Sequence, residues 1–450
     1  MRQGRAFNAS MNPARSLLQR LMLVRPGEGR ALLWAAAYFF FLLLSYYLLR
    51  PVREAMGIAK GADKLPWLMS LTLLVMLVAN PLYAKLVSRW PRRRFIPAVS
   101  HFFAGNLLVF MGLMSLMPGA TWLGYAFYVW LSVFNLFVVS VFWSLMSDVF
   151  REEQGRRLFG LISMGGTLGA MGGAALTDAL SRGSWGLQLG PVALMGLAVL
   201  ALETAVSCMG ALRRHFGLSE QTQPEREPGP SALEGWRAIA GSRYLQALCV
   251  YMLLYALTST FLYLSQGEIV ARSFVSGAER TAAFARLDLW VNALTLLTQL
   301  FLTGRLLRWI GVGGVLLVLP SLTLLGFGAL ALWPGFAVLA AVQVLRRGLH
   351  YAVDRPAREL LYIPLGPEER YKSKPFIDTF VFRVGDVLGV WAPTLLSALA
   401  WPVSLAAMGG AALWLWNGHR LGQLVGRHAP PAACARVPQD AKTATAMTRP

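Results

Sequence analysis

Charge is scarce in this chain of 450 residues. Only 14% of its residues are Asp, Glu, Lys or Arg, against about 25% in an ordinary soluble domain, which argues against a cytosolic enzyme. Acid is scarcer than base: 22 Asp and Glu stand against 42 Lys and Arg, a formal net charge of +20. Cysteine is nearly absent. Cys208, Cys249 and Cys434 lie far apart, so they make neither a zinc spacing nor a disulfide framework. They read as small apolar residues, two in apolar segments and one in a polar tail. The five histidines show no metal-ligating or catalytic spacing, and no hydrolase triad or phosphate-binding Gly-Lys loop occurs in the chain. Neither an enzyme, nor an ATP-driven pump, nor a resident metal or other cofactor is therefore expected. Residues 1–30 hold arginines but no short apolar stretch with a small-residue cleavage site, so a cleaved signal peptide is not expected either.

Apolar residues are abundant, at 56%, and the mean hydropathy is +0.51. They come in long runs. A helix needs about 20 residues to cross the hydrocarbon of a bilayer, and stretches such as 31–49 and 191–212 meet that length with at most one charge. Apolar runs between charged or Pro/Gly-bearing breaks give twelve expected spans: 31–51, 65–87, 95–116, 122–149, 158–180, 191–212, and, after a polar break, 244–264, 281–307, 312–332, 334–361, 375–400 and 402–417. The break at 213–243 contains Gln-Thr-Gln-Pro-Glu-Arg-Glu-Pro-Gly-Pro, a flexible-linker composition. The stretch 418–450 reads as a polar tail, unfolded from about Arg427.

Charge tests this count independently. With the N-terminus inside, 33 of the 42 basic residues fall on the inner side, 8 on the outer side, and Arg383 lies within a span. The positive-inside rule predicts that bias. It places both termini in the cytoplasm and makes nucleic-acid binding unnecessary; the membrane expected is a bacterial inner membrane. The expected fold is all-α: twelve transmembrane helices in two six-helix bundles, 31–212 and 244–417, of major-facilitator type, with a substrate site between the bundles near mid-membrane. A monomer is a state the sequence allows, with the lipid bilayer and a small solute as its partners. The loop between spans 2 and 3, Ala84 to Arg93, keeps the arginines of the facilitator signature but lacks its glycines and aspartate.

An ionisable residue inside a span costs about 2.5–3.5 kcal/mol at the centre on insertion scales, so each is a functional candidate. Span 10 is the sharpest case. Only twelve residues precede Arg346 and Arg347, too few to cross about 30 Å at 1.5 Å per residue, so the helix must carry both arginines to mid-depth. Gln343, Arg347, His350 and Asp354 then form one polar stripe, either lining a pathway or holding a buried Arg347–Asp354 pair. In span 11, Arg383 and Asp386 are three residues apart, with Thr379 one turn earlier and Asp378 nearer the cytoplasmic end; a structural pair and a transport role are both open. Span 1 ends with Arg50 and Arg53 on one face, Arg50 spaced to pair with Glu54, and Pro51 expected to break the helix. Interfacial snorkelling is the alternative there. Glu203 stands alone in mid-span 6, as a proton-coupling site, a protonated carboxyl or a partner for a distant arginine. In span 5, Gly165, Gly169 and Gly173 make a face of small residues that permits close helix packing.

The segment from Asp354 to Asp378, Asp-Arg-Pro-Ala-Arg-Glu-Leu-Leu-Tyr-Ile-Pro-Leu-Gly-Pro-Glu-Glu-Arg-Tyr-Lys-Ser-Lys-Pro-Phe-Ile-Asp, resembles the ATP/ADP translocase (nucleotide transporter) family of plastids and intracellular bacteria. So do Phe142-Trp143 to Asp148 with the following Gln154-Gly-Arg-Arg-Leu-Phe, Tyr46 to Glu54, and Glu268 to Arg272. The resemblance extends over about 30–417. It implies nucleotide exchange and puts the family's characteristic charged positions on Arg53, Asp148, Glu268, Arg358 and Lys374. Family lysines are arginines here at 53, 272 and 358, and the acid that follows Pro-Leu is Gly366.

Together these readings lead us to expect a secondary transporter of an anionic, phosphorylated or nucleotide-like solute, working by alternating access and exchange. Arg50, Arg53, Arg346, Arg347, His350 and Arg383 are the candidate substrate-binding residues. Glu54, Asp148, Glu203, Glu268, Asp354 and Asp386 are the candidate gating or coupling residues. Two other readings remain: a proton-coupled exporter of an organic molecule, with Glu203 or Asp386 as the proton site, and a non-transporting membrane scaffold or sensor.

Overall fold

The computed structural model describes residues 24–25, 27–89, 92–184, 186–216 and 232–428. Most of the expected N-terminal segment, the centre of the linker and the end of the tail lie outside the described residues. All the regular secondary structure among the described residues is helical. The helices are α1 (Gly29–Gly57), α2 (Leu65–Arg89), α3 (Arg92–Leu116), α4 (Thr121–Val149), α5 (Glu152–Arg182), α6 (Pro191–Phe216), α7 (Ala232–Gly241) and α8 (Arg243–Ser273). They continue with α9 (Gly277–Phe301), α10 (Thr303–Trp309), α11 (Gly311–Leu332), α12 (Phe336–Leu349), α13 (Arg355–Leu360), α14 (Pro367–Phe376), α15 (Phe382–Ala398) and α16 (Val403–His428). Eight, namely α1 to α6, α8 and α11, contain stretches long and apolar enough to cross a membrane. The chain is a multi-pass membrane protein. The other four expected spans are helical too, but α9, α12, α15 and α16 are too short or not apolar enough to meet that criterion.

Several boundaries differ from the expected ones, for physical reasons. Pro51 does not break α1, which runs through it to Gly57. Proline cannot donate to the carbonyl of Tyr47, but inside a membrane helix the lost bond is tolerated where neighbouring groups compensate. The expected tenth span does continue past its two arginines, through a π-helical turn at His350–Asp354 and into α13. A second π turn, Ile377–Val381, joins α14 to α15. α5 begins where the Gln154 side chain accepts a hydrogen bond from the Arg151 backbone N–H (3.1 Å). It ends at Gly183, whose φ of +71° suits glycine and turns the chain out of the helix.

The chain forms two compact units. The first comprises 1–226, 261–297 and 329–348. In it α1 is the central helix, packed on α4, α5 and α6. The glycine face of α5 lies directly on the α1 backbone: a Cβ added at Gly165 would stand 2.6 Å from the Ala36 carbonyl oxygen and one at Gly173 2.7 Å from that of Leu44, while one at Gly169 would overlap the Phe40 carbonyl. Phe39 stacks on Phe142 of α4 with centroids 4.1 Å apart, and Trp130 stacks on Phe134.

The second unit comprises 227–260, 298–328 and 349–450. Here α8 is the helix approached at its backbone. Cβ atoms added at Gly385 and Gly389 of α15 would lie 2.8 and 2.9 Å from the carbonyl oxygens of Leu253 and Leu257. Trp414 of α16, fully buried, packs on Tyr251 and Tyr255 of α8.

Candidate functional site

In the first unit the last two turns of α1 carry Arg50, Arg53 and Glu54 into the protein. Arg50 does not pair with Glu54 as its spacing suggested. Its Nη1 meets Asp288 Oδ1 of α9 at 2.5 Å, and Arg347 Nη2 of α12 meets the same oxygen at 2.8 Å. Asp288 is 3% exposed at the side chain. One buried carboxylate is thus held between two guanidiniums from two other helices.

Glu54 is engaged differently. Its Oε2 accepts a hydrogen bond from the Tyr263 hydroxyl (2.5 Å), that hydroxyl lies 2.6 Å from the Tyr128 hydroxyl, and the Arg53 guanidinium sits 4.1 Å over the Tyr128 ring. Arg53 Nη1 lies 3.7 Å from Glu54 Oε1 and closes the circuit. These groups amount to three cations, Arg50, Arg53 and Arg347, against two carboxylates, Glu54 and Asp288. Arg346, 3% exposed, and Gln343 are also buried on α12. Arg53 Nε and Gln266 Oε1, the latter one turn beyond Tyr263, are buried without a hydrogen-bond partner.

Around this cluster the helix ends are tied together. Asp178 of α5 binds Arg182 at 2.7 Å and Arg286 of α9 at 3.3 Å. Arg280 donates to the carbonyls of Ile58, Ala271 and Phe274.

The second unit holds the remaining polar residues of the expected tenth and eleventh spans. At the first π turn, His350 Nδ1 lies 3.0 Å from Asp354 Oδ2, Tyr251 donates to Asp354 Oδ1 at 3.0 Å, and Arg358 Nε is 3.3 Å from the same carboxylate. Tyr255 stacks on the His350 ring at 4.5 Å, and the Arg358 guanidinium is 5.4 Å from that tyrosine. Lys374 pairs with Glu359 at 2.6 Å. In α15, Arg383 and Asp386 are 3.4 Å apart, and the Thr260 hydroxyl is 3.4 Å from Asp386. The Asp354 carboxylate is therefore taken up by His350, Tyr251 and Arg358, and Arg347 by Asp288.

Three sequence candidates stand apart from these clusters. Glu268 is exposed and lies 3.9 Å from Arg272 of its own helix. Asp148 lies half-buried at the end of α4. Glu203 points outward from α6 and meets His101 of α3 at 3.1 Å, both side chains well exposed. The residues that sequence reasoning missed are Asp288, Tyr128, Tyr263 and Tyr251. Asp288 had a signal, since it is an acid inside an apolar run; the tyrosines had none.

With this geometry in place, known proteins can be compared. No family model matches the chain. ADP,ATP carrier protein 1 of Chlamydia muridarum is 22% identical over 313 residues, 61% of this chain and 58% of the carrier. ADP,ATP carrier protein 2 of Chlamydia pneumoniae is 22% identical over 421 residues, 76% of this chain and 77% of the carrier. The plastidic ATP/ADP-transporter of Solanum tuberosum is 22% identical over 63% of this chain and 50% of its own length.

The chain is similar to the ADP,ATP carriers. It spans somewhat over half the length of several of the carriers it matches. Among solved structures, a bacterial homologue of the iron transporter ferroportin in its inward-facing state aligns with TM-score 0.59 at 13% identity, over 86% of this chain and 98% of that one. The nucleoside transporter NupG aligns with TM-score 0.58 at 13% identity, over 89% of this chain and all of that one. Both are major-facilitator transporters, and the likeness shows the fold.

Proposed function

We propose that this chain is a secondary active transporter that exchanges anionic, phosphorylated solutes of the nucleotide type by alternating access, and that it is not an enzyme. The observation that carries this reading is the double clamp of Arg50 and Arg347 on Asp288, set among more buried cations than carboxylates. A guanidinium donates two parallel hydrogen bonds to a carboxylate or to a phosphate with similar geometry. A phosphate arriving at this cluster would meet donors already arranged for an anion, with Asp288 as the anion it displaces. The surplus cation supplies charge that an empty carrier leaves uncompensated and a bound anion neutralises. The circuit of Glu54, Tyr263, Tyr128 and Arg53 would reorganise with it, since the same last turns of α1 carry both groups.

The similarity to carriers named for ADP and ATP supports a nucleotide as solute. The surrounding architecture would be twelve transmembrane helices in two six-helix bundles, 31–212 and 244–417, with both termini in the cytoplasm of a bacterial inner membrane. In support, α5 lies on α1 and α15 lies on α8 through glycines four residues apart set against backbone carbonyls, as expected when the fifth and eleventh spans repeat one another's place.

The test is uptake of labelled ATP, ADP and simple phosphate esters into liposomes containing the purified chain. Uptake should depend on unlabelled counter-substrate inside and should be insensitive to an imposed pH gradient. Movement of neutral or cationic compounds, with no phosphorylated one carried, would reject the reading.

A further inference from the structure

The first unit contains stretches from both halves of the sequence, 1–226 from the first and 261–297 with 329–348 from the second. Within it the two halves meet where α1 and α5 finish and α9 starts. The polar groups that cross between them there share one design. Asp178, 7% exposed near the end of α5, accepts two hydrogen bonds from Arg182 of its own helix, at 2.9 and 2.7 Å. From Arg286 of α9, in the other half, it accepts a longer one at 3.3 Å. Arg280, in the first turn of α9, reaches across to the Ile58 carbonyl at 3.1 Å. It also donates to Ala271 and Phe274 of its own half, at 3.2 and 2.9 Å.

Asp288 repeats the pattern, with Arg347 from its own half beside Arg50 from the other. All three groups therefore keep a partner when the halves part. That matters because a buried carboxylate stripped of every partner carries its full desolvation cost. Asp178 without Arg286 still has both bonds from Arg182, and Arg286, with its side chain 44% exposed, passes its donors to water. The apolar contact at the same place is a close fit with no bond in it: a Cβ added at Gly267 of α8 would come within 2.4 Å of Leu65 at the start of α2.

We infer that Asp178, Arg286 and Arg280 form a gate closing this end of the carrier, and that Arg182 is its release element, holding Asp178 while Arg286 leaves. The inference rests on the alternating-access reading and adds to it a gate separate from the cations around Asp288. In a structural ion-pair cluster the two arginines on Asp178 would act alike; in a gate with a release element they act in opposite directions. Arg286→Gln removes the tie between the halves and leaves Asp178 satisfied, so the gate opens more often. Arg182→Gln leaves Asp178 dependent on Arg286, so opening would orphan a buried carboxylate and becomes rarer.

Leu65, 1% exposed and packed where the halves meet, is the place for a reporter. A thiol introduced by Leu65→Cys reacts with a maleimide only when this end opens. The full-length chain is held in lipid nanodiscs, both faces reached by reagent, and labelling at position 65 is followed by mass spectrometry. No solute is needed, so failure of the gate and failure of the exchange reading give separate results. Against the Leu65→Cys parent, Arg286→Gln should label about threefold faster and Arg182→Gln about threefold slower, a size that suits partly exposed ion pairs. Backbone hydrogen exchange over 58–65 in chains without the thiol should move in the same two directions, and it decides the matter if the thiol variant does not fold. A rate unchanged in either glutamine variant, or shifted the same way in both, would overturn the inference.

Discussion

Asp288 is the residue on which the proposed mechanism turns. Breaking a buried ion pair by removing one partner is strongly destabilising, about 3–5 kcal/mol, because the charge left behind stays buried. Asp288→Asn is therefore expected to leave Arg50 and Arg347 short of an anion in the empty state. Exchange should fall at least tenfold, while a phosphorylated ligand, supplying the missing charge, should raise the variant's melting temperature more than that of the wild type. A smaller ligand-induced shift in the variant would count against Asp288 as the displaced anion. Arg50→Lys should also fail, since an ammonium cannot reproduce the planar fork; near-normal exchange by that variant would refute the clamp.

Outside the spans, Glu28 gives a pH prediction. Burial pushes its carboxyl up, but hydrogen bonds from Arg157, the Arg25 backbone N–H and Gln154 outweigh that and hold it at about 2, below its usual 4.5. A depressed carboxylate contributes stability that is complete above the unfolded value and lost as pH falls through the folded one. Melting temperature should thus decline between about pH 4.5 and pH 2, and Glu28→Gln should flatten that part of the profile. An unchanged slope in the variant would place the acid sensitivity elsewhere.

At the scale of elements, close helix contact decides which substitutions the fold accepts. Gly169→Ala drives a methyl group into the Phe40 carbonyl, and overpacking of this kind costs about 1–3 kcal/mol. Gly160, on the same helix, has open space at its Cβ position, so Gly160→Ala should be neutral or slightly stabilising. Thermal unfolding of the two variants side by side checks the pair; equal effects would mean that the α1–α5 contact is looser than described. The glycine spacing in α5 was readable because four-residue steps stay on one helix face. Both π turns were not. A single extra residue in a turn leaves no mark on hydrophobic periodicity over so short a stretch, yet it changes the face on which every later side chain emerges. The stripe drawn through Arg347, His350 and Asp354 divides: Arg347 reaches Asp288, and Asp354 faces His350, Tyr251 and Arg358.

For the whole molecule, the distribution of basic residues makes a topological prediction. Cys434 lies in the expected cytoplasmic tail, while Cys208 is buried and Cys249 partly so. A membrane-impermeant maleimide should label the chain in inside-out vesicles and not in right-side-out ones. Labelling from outside would invert the proposed orientation.

The sequence alone determined that the chain crosses a membrane many times and that its apolar runs carry arginines. Those properties are set by run length and by the sign of charge along one dimension, and transfer free energy acts on them residue by residue. The tertiary structure decided which charges meet. Arg50, Asp288 and Arg347 are hundreds of positions apart in part, and no local rule pairs them; only helix packing brings them within hydrogen-bonding reach. It likewise turned Glu203 outward and Asp288 inward, although both are single acids in apolar helices, because the face a side chain presents depends on which neighbouring helix covers it.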